Sequence, residues 1–427
     1  MKPRALLLAI LALFAAALPL SSQETLLKEG DGKRWFKGQT HVHTLWSDGD
    51  GAPEIPARWY KEHGYHFLSI TDHNVMLHGD RWFAVTPDGR LTPARLGELI
   101  YGFGLDWVEL REREGALEMR LKTLEELKAR FDEPGEYLIV EGEEITASEV
   151  HVNAVNLRDV IHPADEGGQA EVLREQILAL GEQEEHYGEP MLAHLNHPNW
   201  GPGFPAENLI SVPEVRFFEV YNGHGGVMNW GDADRHRVPT ERLWDIALAF
   251  RLREDPGNVL YGVATDDAHN YFRQGAGGSI PGRGWIRVLA EDLSMESILP
   301  AMERGEFYAS AGVELREISW DGREYRVTPA SEEGVTYTTT FYGTRRGFDA
   351  TAVPVVDAEG NALEDVTWVY SEGVGEVLFV TTEVPAIYRA RGDEMYIRAT
   401  VVSSRLKADP FREGDREKAW TQPVVVR

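Results

Sequence analysis

Two histidines separated by a single valine, His41 and His43, close an apolar segment near the start of the chain, and Asp48 follows shortly after. Thr71-Asp72-His73-Asn74 ends a second apolar segment, and Glu141-Gly142-Glu143-Glu144 ends a third. His151 opens a fourth, His194-Leu195-Asn196-His197-Pro198 closes a fifth, and Asp266-Asp267-Ala268-His269 follows the run that starts at Val259. Residues two apart on a strand share a face, so His41 with His43 forms one pincer and Asp267 with His269 another. Imidazole and carboxylate donors without thiolate suit Zn, Mn or Fe, and a carboxylate can bridge two such ions in a hydrolytic site. His194 and His197 compete for one place in this set, as do Glu143 and Glu144.

Placing these residues together requires a scaffold in which strands end on one side. Strand patterns fall at Phe36–His43, Tyr65–Thr71, Tyr137–Val140, His151–Leu157, Met191–Leu195, Phe217–Tyr221, Val259–Ala264 and Trp285–Leu289. Helical patterns alternate with them at Ile55–Glu62, Leu117–Phe131, Val172–Tyr187, Thr240–Arg253 and Leu293–Arg304. This alternation predicts an α/β fold with a parallel sheet, closed or nearly closed, whose strand ends carry the chemistry. The stretch from about 75 to 115 matches no regular pattern and reads as an insertion near the site. After Ser310 the texture changes to Val-, Thr- and aromatic-rich segments separated by turns, which predicts a small all-β, sandwich-like domain over 311–427.

Lys2 and Arg4 precede an apolar run from Ala5 to Leu18, too short to span a bilayer comfortably, with small residues after it. Residues 1–22 are therefore expected to be a signal peptide that exports the protein, with no stable membrane insertion after cleavage. The barrel-like region then covers 23–310. Cysteine is absent, which removes disulfides, thiolate ligands and a cysteine nucleophile. With 43 basic and 70 acidic residues, a formal net charge of −27 repels long nucleic acid. A small-molecule substrate is the expected partner, and even an anionic one remains compatible, because bound cations dominate the local field. All 14 histidines lie at or before His269, so imidazole chemistry belongs to the first part of the chain.

These motifs resemble the PHP (polymerase and histidinol phosphatase) family of metallohydrolases. The resemblance rests on His41-Val42-His43-Thr44 with Ser47-Asp48-Gly49, Thr71-Asp72-His73-Asn74, Gly142-Glu143-Glu144, His197-Pro198 and Asp267-Ala268-His269, and spans roughly Lys37 to Ser310. Glu219-Val220-Tyr221-Asn222-Gly223-His224, Gly282-Arg283-Gly284-Trp285 and Phe307-Tyr308-Ala309-Ser310 are similar to its secreted, carbaryl-hydrolase-like branch. The resemblance implies an irregular (β/α)7 barrel holding two or three divalent metal ions (Zn, Mn or Fe) and a metal-bound hydroxide as the attacking group. It implies a first site of His41, His43, Glu144 and Asp267. Glu144 would bridge to a second with His151 and His197, and Asp48, His73 and His269 would form a third. The family's Gly-x-Glu pattern selects Glu144 over Glu143, and the following proline selects His197 over His194.

His224, Asn222 and Arg283 are expected to contact substrate, while Asp72, Asn74 and Asp266 point off the ligand face and are expected to support it. His63, His66, His78, His162, His186 and His236 read as surface or core residues. The favoured activity is hydrolysis of a phosphomonoester or small phosphodiester. A carbamate, ester or amide hydrolase with the same metals is the alternative, and an exported metal-binding or surface-binding protein is the non-enzymatic one. A substrate phosphate calls for basic groups near the metals, and Arg283 and Arg273 are the candidates.

Overall fold

The computed structural model describes residues 24–147, 149–163, 166–273 and 277–427, so the expected signal segment lies outside the described residues. Among those described, no helix is long and apolar enough to cross a membrane. The chain folds as a mixed α/β structure around one large sheet.

The apolar runs become β1 (Arg34–Gln39), β2 (Phe67–Ile70), β3 (Leu138–Ala147), β4 (Val150–Val155), β5 (Leu192–Leu195), β6 (Phe217–Asn222) and β7 (Tyr261–Thr265). They lie side by side in chain order. β2, β4, β6 and β7 are buried along their whole length, and the polar residues they carry, among them His151, Asn153, Glu219 and Asn222, are buried with them. Helices α1 (Glu54–Glu62), α2 (Leu124–Phe131), α3 (Gln169–Tyr187) and α4 (Thr240–Glu254) connect them, and α5 (Met295–Glu303) joins β8 (Trp285–Ala290) to β9 (Phe307–Ser310).

The sheet is not parallel throughout, contrary to the sequence expectation. β4 runs antiparallel to both β3 and β5, and β8 antiparallel to β1. Only positions 148 and 149 separate β3 from β4, too few for a crossover, so the chain can only double back. Beyond the regular pairing, backbone bonds tie neighbouring strand ends to one another. His43 N donates to Ala268 O and Asp267 N to His41 O, at 3.0 and 3.1 Å, which links the end of β1 to the end of β7. Thr71 N reaches Val42 O, Asn74 N reaches Glu144 O, Asn196 N reaches His151 O, and Gly223 N reaches Thr265 O. The ends that carry the histidines are thus laced into a ring.

The helix expected over Leu117–Phe131 is two elements. Ala116–Arg120 is a strand, and the helix starts at Leu124 because Thr123 and Glu126 form a reciprocal cap. That strand pairs with Trp82–Ala84 and Leu110–Arg113 in a three-stranded sheet, so the region read as irregular contains regular structure. It also holds a helix, Pro93–Phe103, opened by a Thr92 cap.

On the other flank the large sheet continues from β9 through β13 (Arg416–Thr421), β12 (Glu394–Leu406) and β10 (Tyr337–Arg345) to β11 (Glu376–Thr381). A separate four-stranded sheet joins Thr25–Lys28 to Leu315–Trp320, Glu324–Pro329 and Ala386–Arg389. The expected boundary at 310 therefore falls at the end of a strand paired on both sides. Buried polar contacts cross it: Arg398 donates to both carboxylate oxygens of Asp245 on α4, at 2.8 and 2.5 Å, and Gln422 exchanges two hydrogen bonds with the backbone of Gly262.

Candidate metal centre

Gln39, at the end of β1, fixes the start of the site. Its side-chain oxygen accepts the backbone N–H of Thr40 and of His41, and its amide donates to Gly284 O. His41 and His43 then project to the same side, with Nε2 atoms facing each other at 3.1 Å. Asp267 Oδ1 stands 3.3 Å from both of these nitrogens and 3.4 Å from His269 Nδ1, yet this buried oxygen accepts no hydrogen bond.

Glu144 occupies the centre. Its carboxylate lies 3.4 Å from His41 Nε2, 3.3 Å from His43 Nε2, 2.9 Å from His73 Nδ1, 3.1 Å from His151 Nδ1 and 3.3 Å from His197 Nε2. Asp48 closes the outer side, 3.2 Å from His269 Nε2 and 3.6 Å from His73 Nε2. Four overlapping groups result: His43, Asp48, His73 and His269; His41, His43 and Asp267; His41, Glu144 and His197; His73, Glu144 and His151. Within each, the donor atoms lie within 4.8 Å of one another. All nine residues expected as ligands are in these groups. Of the histidines read as surface or core residues, none appears in them.

The electrostatics are those of a buried anion cage. Burial works to raise the pKa of Glu144, but His73, His41 and His151 more than offset it and hold the carboxyl well below the usual range. Asp267 is likewise held down against its burial, chiefly by His41 and His43. Burial opposes a charge on His41, yet Asp267, Glu219 and Glu144 together raise its pKa well above that of free imidazole. An unpartnered buried oxygen among three imidazoles, paired ring nitrogens and an all-nitrogen-and-oxygen donor set fit divalent cations. Asn74, His197 and Asp267 adopt left-handed backbone conformations (φ +51°, +24° and +50°), and local strain of this kind collects at functional sites.

Position separates the members of the two competing pairs. Glu143 points off the opposite face of β3, where its carboxylate accepts Ile161 N–H at 2.9 Å, so Glu144 alone reaches the cluster. His194 is buried against Thr40 Oγ1, and burial lowers its pKa to about 4; it belongs to none of the four groups.

The residues expected to support the site make the following contacts. Asp72 accepts from the backbone and hydroxyls of Thr44 and Ser47, shaping the turn that presents Asp48. Asn74 exchanges bonds with the Thr146 backbone, and Thr146 Oγ1 meets His73 Nδ1 at 2.6 Å. Asp266 accepts three backbone N–H groups from Gly282, Arg283 and Gly284, and the Tyr60 hydroxyl.

Two residues expected to contact substrate are enclosed by the protein. Arg283 is fully buried, its guanidinium donating to the carbonyls of Gly223, Gly278 and Pro410, so it braces these loops. Asn222 is also fully buried and spans Glu219 Oε2 and Asp267 Oδ2, which makes it a positioning residue. His224 remains half-exposed, its ring 5.2 Å from that of His269. The sequence reading gave no role to Glu219, which holds His41, or to Asn196, which donates to Glu144 Oε1 at 2.8 Å.

No protein-family model matches the chain, and no curated protein matches it. Among solved structures, it is similar to a two-domain protein from Bacteroides vulgatus containing a predicted PHP-like metal-dependent phosphoesterase. The identity is 17%, 84% of this chain and 96% of that one are covered, and the TM-score is 0.39. A candidate metal-dependent phosphoesterase from Bifidobacterium adolescentis is 14% identical over 54% of this chain and 87% of its own, with a TM-score of 0.28. Both likenesses are too slight to carry fold or function to this chain.

Proposed function

We propose that this chain is an exported metal-dependent hydrolase built on a PHP-type barrel, with phosphomonoesters or small phosphodiesters as its substrates. The observation that carries the reading is the convergence of nine imidazole and carboxylate groups, Glu144 and Asp267 among them, from six strands of one sheet or the turns that follow them. His41, His43, Glu144 and Asp267 would hold one ion, Glu144, His151 and His197 a second, and Asp48, His73 and His269 a third. When bound, divalent ions supply Lewis acidity, lowering the pKa of water and offsetting negative charge that develops on oxygen. The chain's own contribution is to fix the donors: Glu219 orients His41, Thr146 orients His73, and Asn196 steadies Glu144.

Preference for a phosphoester is supported by Arg273, which the sequence offered, and by two arginines it did not, Arg90 and Arg95. Arg90 donates to Ser47 O and Gly49 O at 2.7 and 2.8 Å, on either side of Asp48. With Arg95 and Arg273 it lines a groove of about 800 Å³ beside that loop, and guanidinium groups suit anionic oxygens. The burial of Arg283 favours the second reading, a carbamate or carboxyl ester, since that bond needs no cationic contact.

A substrate panel separates them. Protein loaded with Mn²⁺ or Zn²⁺ is assayed on nitrophenyl phosphate, bis-nitrophenyl phosphate, short nucleotides, nitrophenyl acetate and an aryl carbamate. Phosphoesters should be preferred. Carboxyl-type substrates turning over faster by about a hundredfold in kcat/KM, near 2.7 kcal/mol, would install the second reading. His41→Ala should abolish turnover and lower metal content, while His186→Ala should do neither. Turnover of nothing in the panel, with metal bound, would leave the metal-binding role.

A further inference from the structure

Four tryptophans lie close in sequence to the metal motifs, and the structure treats them differently. Trp46 and Trp285 are core residues, 2% and 9% exposed. Trp230 is covered by the Phe411 ring at 4.9 Å and the Arg412 guanidinium at 3.4 Å. Trp200 keeps 36% of its surface exposed while its ring sits 5.2 Å from His151 and 5.4 Å from His197. Both imidazoles belong to groups that share Glu144.

An indole left 36% exposed beside a buried charged cluster keeps apolar surface in water, which has an energetic cost. Here it is also held rigidly. Trp200 N donates to His197 O at 2.8 Å, Gly203 N to Trp200 O at 3.0 Å, and Phe204 N to Pro198 O at 2.7 Å. Asn199 anchors the same turn through Met228 O and Val238 O. The facing loop is cut back to glycine: a Cβ on Gly226 would lie 3.6 Å from the Trp200 ring and 3.2 Å from the His224 ring. Trp200, Gly226 and His224 therefore make a wall along the cluster, flat where it meets Trp200, and reaching His269 through His224. A flat apolar surface fixed next to candidate ligands is the arrangement that stacks a ring of the substrate.

We infer that Trp200 is a specificity-determining platform on which an aromatic leaving group, an aryl ring or a nucleobase, lies while the ester bond is held at the metals. This inference rests on reading the site as an ester hydrolase. A residue that only wedged His151 and His197 in place would serve every substrate alike, so matched pairs distinguish the roles.

The test compares wild type, Trp200→Phe and Trp200→Ala on phenyl phosphate against glycerol phosphate, and on phenyl acetate against ethyl acetate, with bound metal measured in each protein. Trp200→Ala should raise KM for the phenyl member of the pair that turns over by about tenfold or more, and that for its alkyl partner less than about twofold. Trp200→Phe should recover most of the loss, with metal content unchanged in both. Equal losses on both members of a pair, or no loss, overturn the inference.

Should wild type turn over no ester, the hydrolase reading fails by itself. The platform is then judged by calorimetric binding of phenylphosphonate and methylphosphonate. A tenfold preference for phenylphosphonate that Trp200→Ala abolishes upholds it. No preference, or no binding, overturns it.

Discussion

Glu219 holds His41 Nδ1 at 2.7 Å, and both side chains are fully buried. The same carboxylate accepts the backbone N–H of His197, the amide of Asn222 and the hydroxyl of Thr265. One acid on β6 thus orients the ring of one candidate ligand and the backbone of another, and turns His41 Nε2 toward Glu144 and Asp267. Replacement by the isosteric amide weakens the grip on the imidazole and its basicity. Glu219→Gln should lower metal affinity by about 10- to 100-fold, read by competition with a chelator, with the circular dichroism spectrum unchanged. Wild-type affinity in the variant would show that Glu219 only fills space.

Asp48 differs from the other carboxylates. Its side chain is 56% exposed, whereas those of Glu144 and Asp267 are 1% and 6% exposed. The ion it helps hold should therefore leave first. Graded chelation followed by elemental analysis should remove one ion before the rest, and Asp48→Asn should begin with one ion fewer while the remaining ones stay tightly bound. Loss of every ion together in Asp48→Asn would mean that the cluster binds as one unit.

Across the expected boundary at 310, Arg398 and Asp245 form a pair whose side chains are 1% and 5% exposed. Removing one partner leaves the other buried and uncompensated. Arg398→Ala should destabilise the protein by about 3–5 kcal/mol in urea unfolding. Because the pair spans the two flanks of the sheet, tryptophan fluorescence and circular dichroism should report one shared transition, shifted as a whole. Two transitions, with only one moved, would mean that the flanks unfold separately.

Glu143 gives a pH signature distinct from the cluster. Burial raises its pKa from 4.5 to about 7, with the Ile161 N–H opposing and Glu141 reinforcing the shift. Between those values the folded protein keeps a proton that the unfolded chain has released, so this group lowers stability as pH rises through the window. Above pH 7 the penalty is complete; below pH 4.5 it vanishes. Glu143→Gln should be more stable than wild type by about 1–3 kcal/mol at pH 8 and nearly equal at pH 4.5, in urea titrations of metal-stripped protein. A constant difference across pH would assign the effect to packing.

The clustered residues were legible because most of them sit near strand ends and several recur two apart, as His41 with His43 does. Glu219 was not. It lies within a strand and meets a histidine 178 positions away, and no local spacing encodes such a partner. The surroundings of Arg283 were hidden for a related reason: nearness to motifs in sequence says nothing about whether a guanidinium finds carbonyls or solvent. The extent of β3 was hidden by Glu141, Glu143 and Glu144, since glutamate is uncommon in strands. The helix start at Leu124 was readable from Thr123 and Glu126, but the apolar residues of the preceding strand obscured it.

Thr25–Lys28 pairs with Glu317–Trp320, and β1, although β2 pairs with it on one side, meets β8 on the other, so these edges near the beginning of the chain are matched only after most of it exists. Loop closure over such separations is slow, and until it happens the early strands carry unmatched edges. A ribosome-bound chain therefore cannot finish its first sheet. It needs protection from self-association during that interval, and its yield on refolding should fall steeply with protein concentration while its folded form stays soluble.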